Sequence, residues 1–294
     1  MATEYWVSNS GGNWDTAGGW GGALPTAVDM VNIDVANITV SITGGTAPAE
    51  AYTLTTIGAT ISIAGGTLTT VESASFGGAF IESSGTYTAG GMGATFSGGI
   101  DFTGGVMNAS AGAALNITGG VDQLAGTLTG AGTLLLSGGS TYLDSGFIDN
   151  QSTLLVENGA KLGVQTSFAF AGDLIEGSND VIDIFVGTLT LTGNDTLLGV
   201  VGDGVLSQNG TLTLGAANDS STTLDDGLVA NMYGLVNQNG AVSYGSSEAG
   251  AKVTVEKTGQ YLINGNWNIA DPSSTGSIVN YGVFEKAAGG RTAY

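Results

Sequence analysis

Glycine pairs punctuate this chain at short intervals, and between them apolar and polar residues alternate. Val31-Asn32-Ile33-Asp34-Val35 and Ile38-Thr39-Val40-Ser41-Ile42 have the period of two expected of strands buried on one face. Gly44-Gly45 ends the second of them. Beyond residue 50, Leu54 to Ile57, Ile61 to Ile63 and Thr67 to Val71 read as further short strands. The tetrapeptide Gly-Thr-Leu-Thr stands at 66–69, 126–129, 187–190 and 210–213. The first three copies are about 60 residues apart and the last follows after about 23, which fits a coil of roughly 20 to 23 residues. Gln208-Asn209-Gly210 and Gln238-Asn239-Gly240 repeat a turn signal, since Asn-Gly and Gly-Gly supply the positive φ that sharp corners need.

No window sustains a 3.6-residue apolar period with caps. The stretch 226–233 and Ala287-Ala288 come nearest to helix. A sandwich would have longer strands and more bulky aromatics inside, whereas aromatics here are 7% and the apolar content is mostly aliphatic. In a solenoid one coil cannot bury its own apolar residues, but stacked coils build a continuous core. The expected fold is therefore all-β: a right-handed parallel β-helix of about a dozen coils with a Trp-rich N-terminal cap. Residues 1–50 are expected to cap the solenoid and residues 51–294 to form its body, as a single elongated domain.

Charge excludes several functions. The net charge is −20, and the five basic residues (Lys161, Lys252, Lys257, Lys286, Arg291) all lie after residue 160. Such a chain repels nucleic acid and anionic membrane surfaces, and suits solubility outside the cell and divalent cations. There is no cysteine, so neither disulfides nor thiolate metal sites are expected. No run of 18 apolar residues is present to span a membrane as a helix. Met1-Ala2-Thr3-Glu4 shows neither the basic start nor the apolar run of a signal peptide. The start reads either as a chosen boundary or as that of a protein exported by a signal not visible here.

With no histidine and no cysteine, Ser-His-Asp and Cys-His catalysis are ruled out. Asp180 with Asp183 and the adjacent Asp225-Asp226 are the acid pairs to weigh for glycoside cleavage. Neighbours on a strand face opposite sides, so 225 and 226 read better as a solvated turn. Gly193-Asn194-Asp195-Thr196-Leu197-Leu198-Gly199 looks like one unit of a calcium-binding nonapeptide repeat, which makes Asp195, Asp203 and Asp219 weak calcium candidates beside a reading as plain Asx turns. Trp6, Trp14, Trp20 and Trp267 are candidates for stacking against a sugar; the alternative is a cluster sealing the end of the core. Thr188-Leu189-Thr190 and Thr211-Leu212-Thr213 fit an outward threonine row only locally.

Gly12-Asn13-Trp14-Asp15-Thr16-Ala17-Gly18-Gly19-Trp20, followed by Leu24-Pro25 and Asp29-Met30-Val31-Asn32-Ile33, resembles the opening of β-solenoids in large bacterial surface and autotransporter-like adhesin passengers. Ser277-Ile278-Val279-Asn280-Tyr281-Gly282-Val283-Phe284-Glu285-Lys286 resembles a coil of the same passengers. The membrane barrel of an autotransporter is not in the sequence. The resemblance implies a non-enzymatic structural or adhesive module, extracellular or on a bacterial cell surface. Its expected partners are copies of itself, stacked into filaments or layers, or surface glycans. A carbohydrate-active or carbohydrate-binding β-helix of the phage-tailspike kind, or a calcium-stabilised module of a larger secreted protein, is the alternative.

Overall fold

The structure, a computed structural model, describes residues 1–45, 48–151, 153–177, 180–186, 188–191, 194–197, 199–201, 204–214, 221–225, 227–244, 250–265, 269–270 and 275–288. Two compact units are present, Met1–Ser152 and Thr153–Tyr294. Apart from one 3-10 turn at Ala17–Trp20, the regular structure described is strand.

In the N-terminal unit the strands pair in parallel along three ladders. On the first face Thr3–Tyr5 pairs with Met30–Ile33, and that strand with the end of Ala49–Thr56. The ladder continues through the end of Thr60–Phe76, Gly93–Phe96, Ala114–Ile117 and Thr133–Leu136. The second face runs from Gly12–Asn13 and Thr39–Thr43 to Ile100–Phe102, Val121–Leu124 and Ser140–Leu143. The third ends with Val106–Ala109, Thr127–Gly130 and Ile148–Asp149. Val31 lies opposite Leu54, Leu54 opposite Ala74, Ala74 opposite Ala94, Ala94 opposite Leu115, and Leu115 opposite Leu134. Each lap therefore takes about 20 residues, and one inward column holds six aliphatic side chains, each at most 5% exposed. Segment 1–50 enters the same ladders as the laps that follow it.

The C-terminal unit is built the same way. Thr153–Val156, Asp173–Glu176, Asn194–Leu197, Thr211–Leu214, Leu235–Gln238, Gln260–Asn264 and Val283–Ala288 form one parallel ladder. Phe168–Phe170, Thr188–Leu191, Val205–Gln208, Val229–Met232, Lys252–Val255 and Ser277–Asn280 form another. Lys161–Val164 begins the third, which runs to Ile269–Ala270. A stack of parallel laps is thus the fold of each unit, as the glycine punctuation and the alternation predict.

Two local readings change. Two short strands expected at 61–63 and 67–71 are one 17-residue strand, Thr60–Phe76. Gly65 (φ +100°) turns the corner within it, and the register shifts there while the ladder continues. The stretch 229–232, in the region nearest to helix by sequence, is strand, in keeping with the all-β expectation. The Gly-Thr-Leu-Thr copies at 66–69 and 126–129 are three laps apart on one face, since Thr67 aligns with Thr86, Thr86 with Val106 and Val106 with Thr127. The copy at 210–213, however, is not one lap beyond 187–190. Thr188–Leu191 pairs with Val205–Gln208, whereas Thr211–Leu214 pairs with Asn194–Leu197 on another face.

Lap stacking leaves no room at some glycines. A Cβ on Gly85 (φ +108°) would lie 2.3 Å from the carbonyl oxygen of Gly66 in the lap before. Substituting Gly85→Ala should cost at least about 1 kcal/mol by forcing both a strained φ and a backbone shift. Gly18→Ala, whose Cβ meets open space, should be near neutral. Urea midpoints of the two variants compared with the unaltered chain check this pair.

Candidate functional site

The tryptophan segment is built by strand ends and one tight turn. Trp6 and Trp14 extend the first strands, their N–H groups donating to the carbonyls of Asn32 (3.0 Å) and Ser41 (2.9 Å). Trp20 closes the 3-10 turn, and Gly21 follows it at φ 75°. The Trp20 ring meets Trp6 edge-on at 4.9 Å and Trp14 at 4.7 Å. The Trp20 Nε1–H donates to the Trp14 carbonyl at 2.6 Å, and the Trp6 Nε1–H to that of Ser8 at 2.9 Å. Gly19 makes space for the cluster, because a Cβ there would lie 2.5 Å from the Trp6 ring. All three rings are 3–4% exposed, so their faces are spent on one another and on the core. Trp267, the fourth stacking candidate, lies outside the described residues.

Asp29 closes the loop that precedes the strand Met30–Ile33. Its carboxylate accepts the Thr26 hydroxyl (2.6 Å) and the N–H groups of Thr26 and Ala2 (both 3.1 Å). Those bonds, that from the Thr26 hydroxyl foremost, hold the Asp29 carboxyl below the usual range. Within 277–286, the Gly282 N–H donates to Asn280 Oδ1 at 3.1 Å, and a Cβ on Gly282 would lie 2.2 Å from the Glu256 carbonyl oxygen.

Among the calcium candidates Asp195 is described, and Asp203 and Asp219 lie outside the described residues. Asp195 points inward. It is 1% exposed in a column where Leu212 and Val236 stand in the next laps, and its Oδ1 accepts the Leu174 N–H at 2.9 Å. Asp180 and Asp183 separate as well. Asp180 accepts the N–H groups of Gly159 (2.6 Å) and Ala160 (3.0 Å), while Asp183 pairs with Lys161 Nζ at 2.7 Å on the outward side. Asp225 is buried, and Asp226 lies outside the described residues.

A set of inward carboxylates is the feature that sequence reading passed over. Glu82, Asp122 and Asp149 in the N-terminal unit are at most 5% exposed. Each spends one oxygen on a backbone N–H: Glu82 Oε1 on Val106 (3.2 Å), Asp122 Oδ1 on Ile100 (2.7 Å), Asp149 Oδ1 on Gln151 (2.9 Å). Their second oxygens are buried and accept no hydrogen bond. Burial pushes the Glu82 carboxyl up to about 8, and those of Asp122, Asp149 and Asp195 to about 6. The signal was parity. Asp122 shares the alternate positions of Leu124, and Asp195 those of Leu197, so an acid replaces an aliphatic in the inward set. Glu82, Asp122 and Asp195 bridge neighbouring laps through these bonds, whereas Asp149 braces its own turn.

Outside, threonine and related residues line up. On the third face of the N-terminal unit, Thr67 and Thr69 stack on Thr86 and Thr88, then on Val106 and Asn108, then on Thr127 and Thr129. All eight are half-buried, with neighbouring inward residues in the core. On the first face Thr53 and Thr55 stack on Ser73 and Ser75. Among the described residues no three Asp or Glu side chains group closely enough to hold a metal ion, and no helix is long and apolar enough to cross a membrane.

These features define the chain as a β-solenoid repeat protein with a tryptophan cluster near its N-terminus. It matches no known protein family, no characterised protein and no solved structure.

Truncating Trp20→Ala removes the ring that both other tryptophans touch. The expected cost is about 3–5 kcal/mol, with the emission of the remaining tryptophans shifting to the red as water enters. Thermal unfolding followed by tryptophan fluorescence measures both.

Proposed function

We propose that this chain is a non-enzymatic structural or adhesive module of a bacterial surface or extracellular matrix, and that it works through its outer faces. The observation that carries the reading is the outward array of Thr67, Thr69, Thr86, Thr88, Thr127 and Thr129, rich in hydroxyls on a parallel ladder and bordered by Glu50 opposite Thr69. In a chain of net charge −20, a face on which the threonine rows from Thr67 to Thr129 carry no charge is where a second acidic copy approaches with least repulsion. The same hydroxyls suit the hydroxyl-rich surface of a glycan, each exchanging hydrogen bonds with water for hydrogen bonds with a sugar.

The inward acids support the non-enzymatic reading, because their bonds to backbone N–H groups bind one lap to the next. The resemblance of 12–20 and 277–286 to adhesin passengers supports the extracellular setting, and the absence of cysteine is compatible with it. Stacking through the faces then gives filaments or layers of copies.

Negative-stain images at high protein concentration should show laterally associated particles, and sedimentation with insoluble polysaccharide should carry the chain down. Placing charge on the array by Thr86→Glu with Thr88→Glu should weaken whichever association is seen by about tenfold, equivalent to ~1.4 kcal/mol. Dispersed single particles together with no retention on any polysaccharide would sink the proposal.

A further inference from the structure

The buried carboxylates of the N-terminal unit have no cation to meet. Residues 1–152 contain no lysine, arginine or histidine. Glu82 is 0% exposed in an inward column between Ile63 and Phe102 of the adjoining laps. Its Oε1 accepts the Val106 N–H, and its Oε2 is buried without a hydrogen bond. On the strands packed around it, Thr60–Phe76, Phe80–Ala89, Ile100–Phe102 and Val106–Ala109, the one inward side chain besides Glu82 that titrates is Tyr87, whose hydroxyl lies 3.1 Å from that of Thr70. Glu72 and Asp101 on those strands are not in the inward set.

Asp122 repeats the arrangement on the same face. It is 0% exposed, follows Ile100 in its column and is followed by Thr141. Its Oδ1 takes the Ile100 N–H and its Oδ2 is buried without a hydrogen bond, as is the Thr141 hydroxyl beside it. The inward side chains of the strands on either side, Ile100, Phe102, Thr141 and Leu143, carry no charge.

Desolvation strongly disfavours an ionised carboxylate with one oxygen unsatisfied in such a core, and the single backbone N–H on the other oxygen offsets only part of that. A bound metal ion would need several oxygen ligands, and the columns beside Glu82 offer side chains of isoleucine and phenylalanine. A proton needs only the carboxylate itself.

We propose that the N-terminal unit is a proton-loaded fold, which closes with Glu82 and Asp122 neutral, so that acid tightens it and alkali loosens it. The sign follows from linkage. The folded carboxyl of Glu82 titrates at about 8 against an ordinary 4.5, and that of Asp122 at about 6 against 3.8. Between those limits the folded chain binds more protons than the unfolded one. The stabilisation is complete below the ordinary values and is lost as pH rises through the folded ones. This is opposite to the usual acid denaturation of a domain whose carboxylates are paired. It does not depend on the adhesive reading, since it concerns folding alone.

The test is urea unfolding of the full chain at a series of pH values from about 5 to about 9, where each such carboxyl makes the unfolding constant rise by up to about tenfold per pH unit within its window. Glu82→Gln should remove that rise from the upper part of the range, and Asp122→Asn should lessen it in the lower part, where buried Asp149 and Asp195 contribute as well. Asp34→Asn, which removes an exposed charge, should leave the slope as in the unaltered chain. Slopes of Glu82→Gln and Asp122→Asn equal to the unaltered chain's would overturn the proposal. So would a midpoint that a chelator or a change of cation shifts as strongly as pH does. An infrared measurement needs no variant. The unaltered chain at pH 7 should show the carbonyl stretch of a buried protonated carboxyl that disappears in alkali, and its absence at pH 7 would equally defeat the idea.

Discussion

Parallel hydrogen bonding of each lap to the next is the constraint on which everything else here rests. Once Leu54 stands opposite Ala74 and Ala74 opposite Ala94, every inward residue is stacked on the inward residue of its neighbours. The interior becomes a set of columns, and each column must be compatible along its length. Phe76 on Phe96, with rings stacked at 5.1 Å and 12°, is one outcome. The narrow bore is another. It is filled by small and medium side chains, and a few aromatics concentrate at Phe76, Phe80, Tyr87 and Phe96. Glycine follows from the same constraint. At Gly85 and Gly282 a neighbouring lap's backbone carbonyl occupies the place a Cβ would take.

Polar groups in the columns have to be satisfied by the same geometry. Corners interrupt the ladder, and N–H groups there lose their strand partners. Asp122, Asp195 and Asp180 reach N–H groups of the preceding lap, and Glu82 one of the following lap. Buried side-chain amides do related work: Gln238 Nε2 donates to the Gly240 carbonyl at 2.9 Å, and Gln208 makes the same bond to Gly210. The Gln-Asn-Gly repeat is therefore a corner brace as well as a turn. In the C-terminal unit, Tyr244 and Tyr261 join hydroxyls at 2.8 Å, and Tyr261 donates to Gln238 at 3.0 Å, which extends the brace into a buried network. Such networks are costly when incomplete, and that is why the unbonded oxygens of Glu82 and Asp122 carry meaning.

Much of this was legible in residue order. Alternation in 31–35 and 38–42 marks Val31, Ile33, Val40 and Ile42 as inward, and all four are buried. The spacing of Gly-Thr-Leu-Thr between 66 and 126 measures three laps. The corner inside Thr60–Phe76 was not legible, because a glycine pair looks the same whether it ends a strand or bends one. The inward acids were visible only as parity. Asp195 looked like a turn ligand because it stands in Gly-Asn-Asp, yet it shares the inward set with Leu197.

The sequence by itself determined that the chain is β, that its strands alternate, that its laps are about 20 residues long and that its N-terminal 152 residues hold no cationic side chain. These are properties of period and composition, and the polypeptide carries them whatever it touches. Only the tertiary structure decided which residues share a column. It set Trp6, Trp14 and Trp20 edge to face, put Thr67 on Thr86, and turned Glu82 and Asp122 away from water. The reason is register. Alternation says which side chains point the same way, but the face they point to and the neighbours they meet depend on where one lap docks on the next.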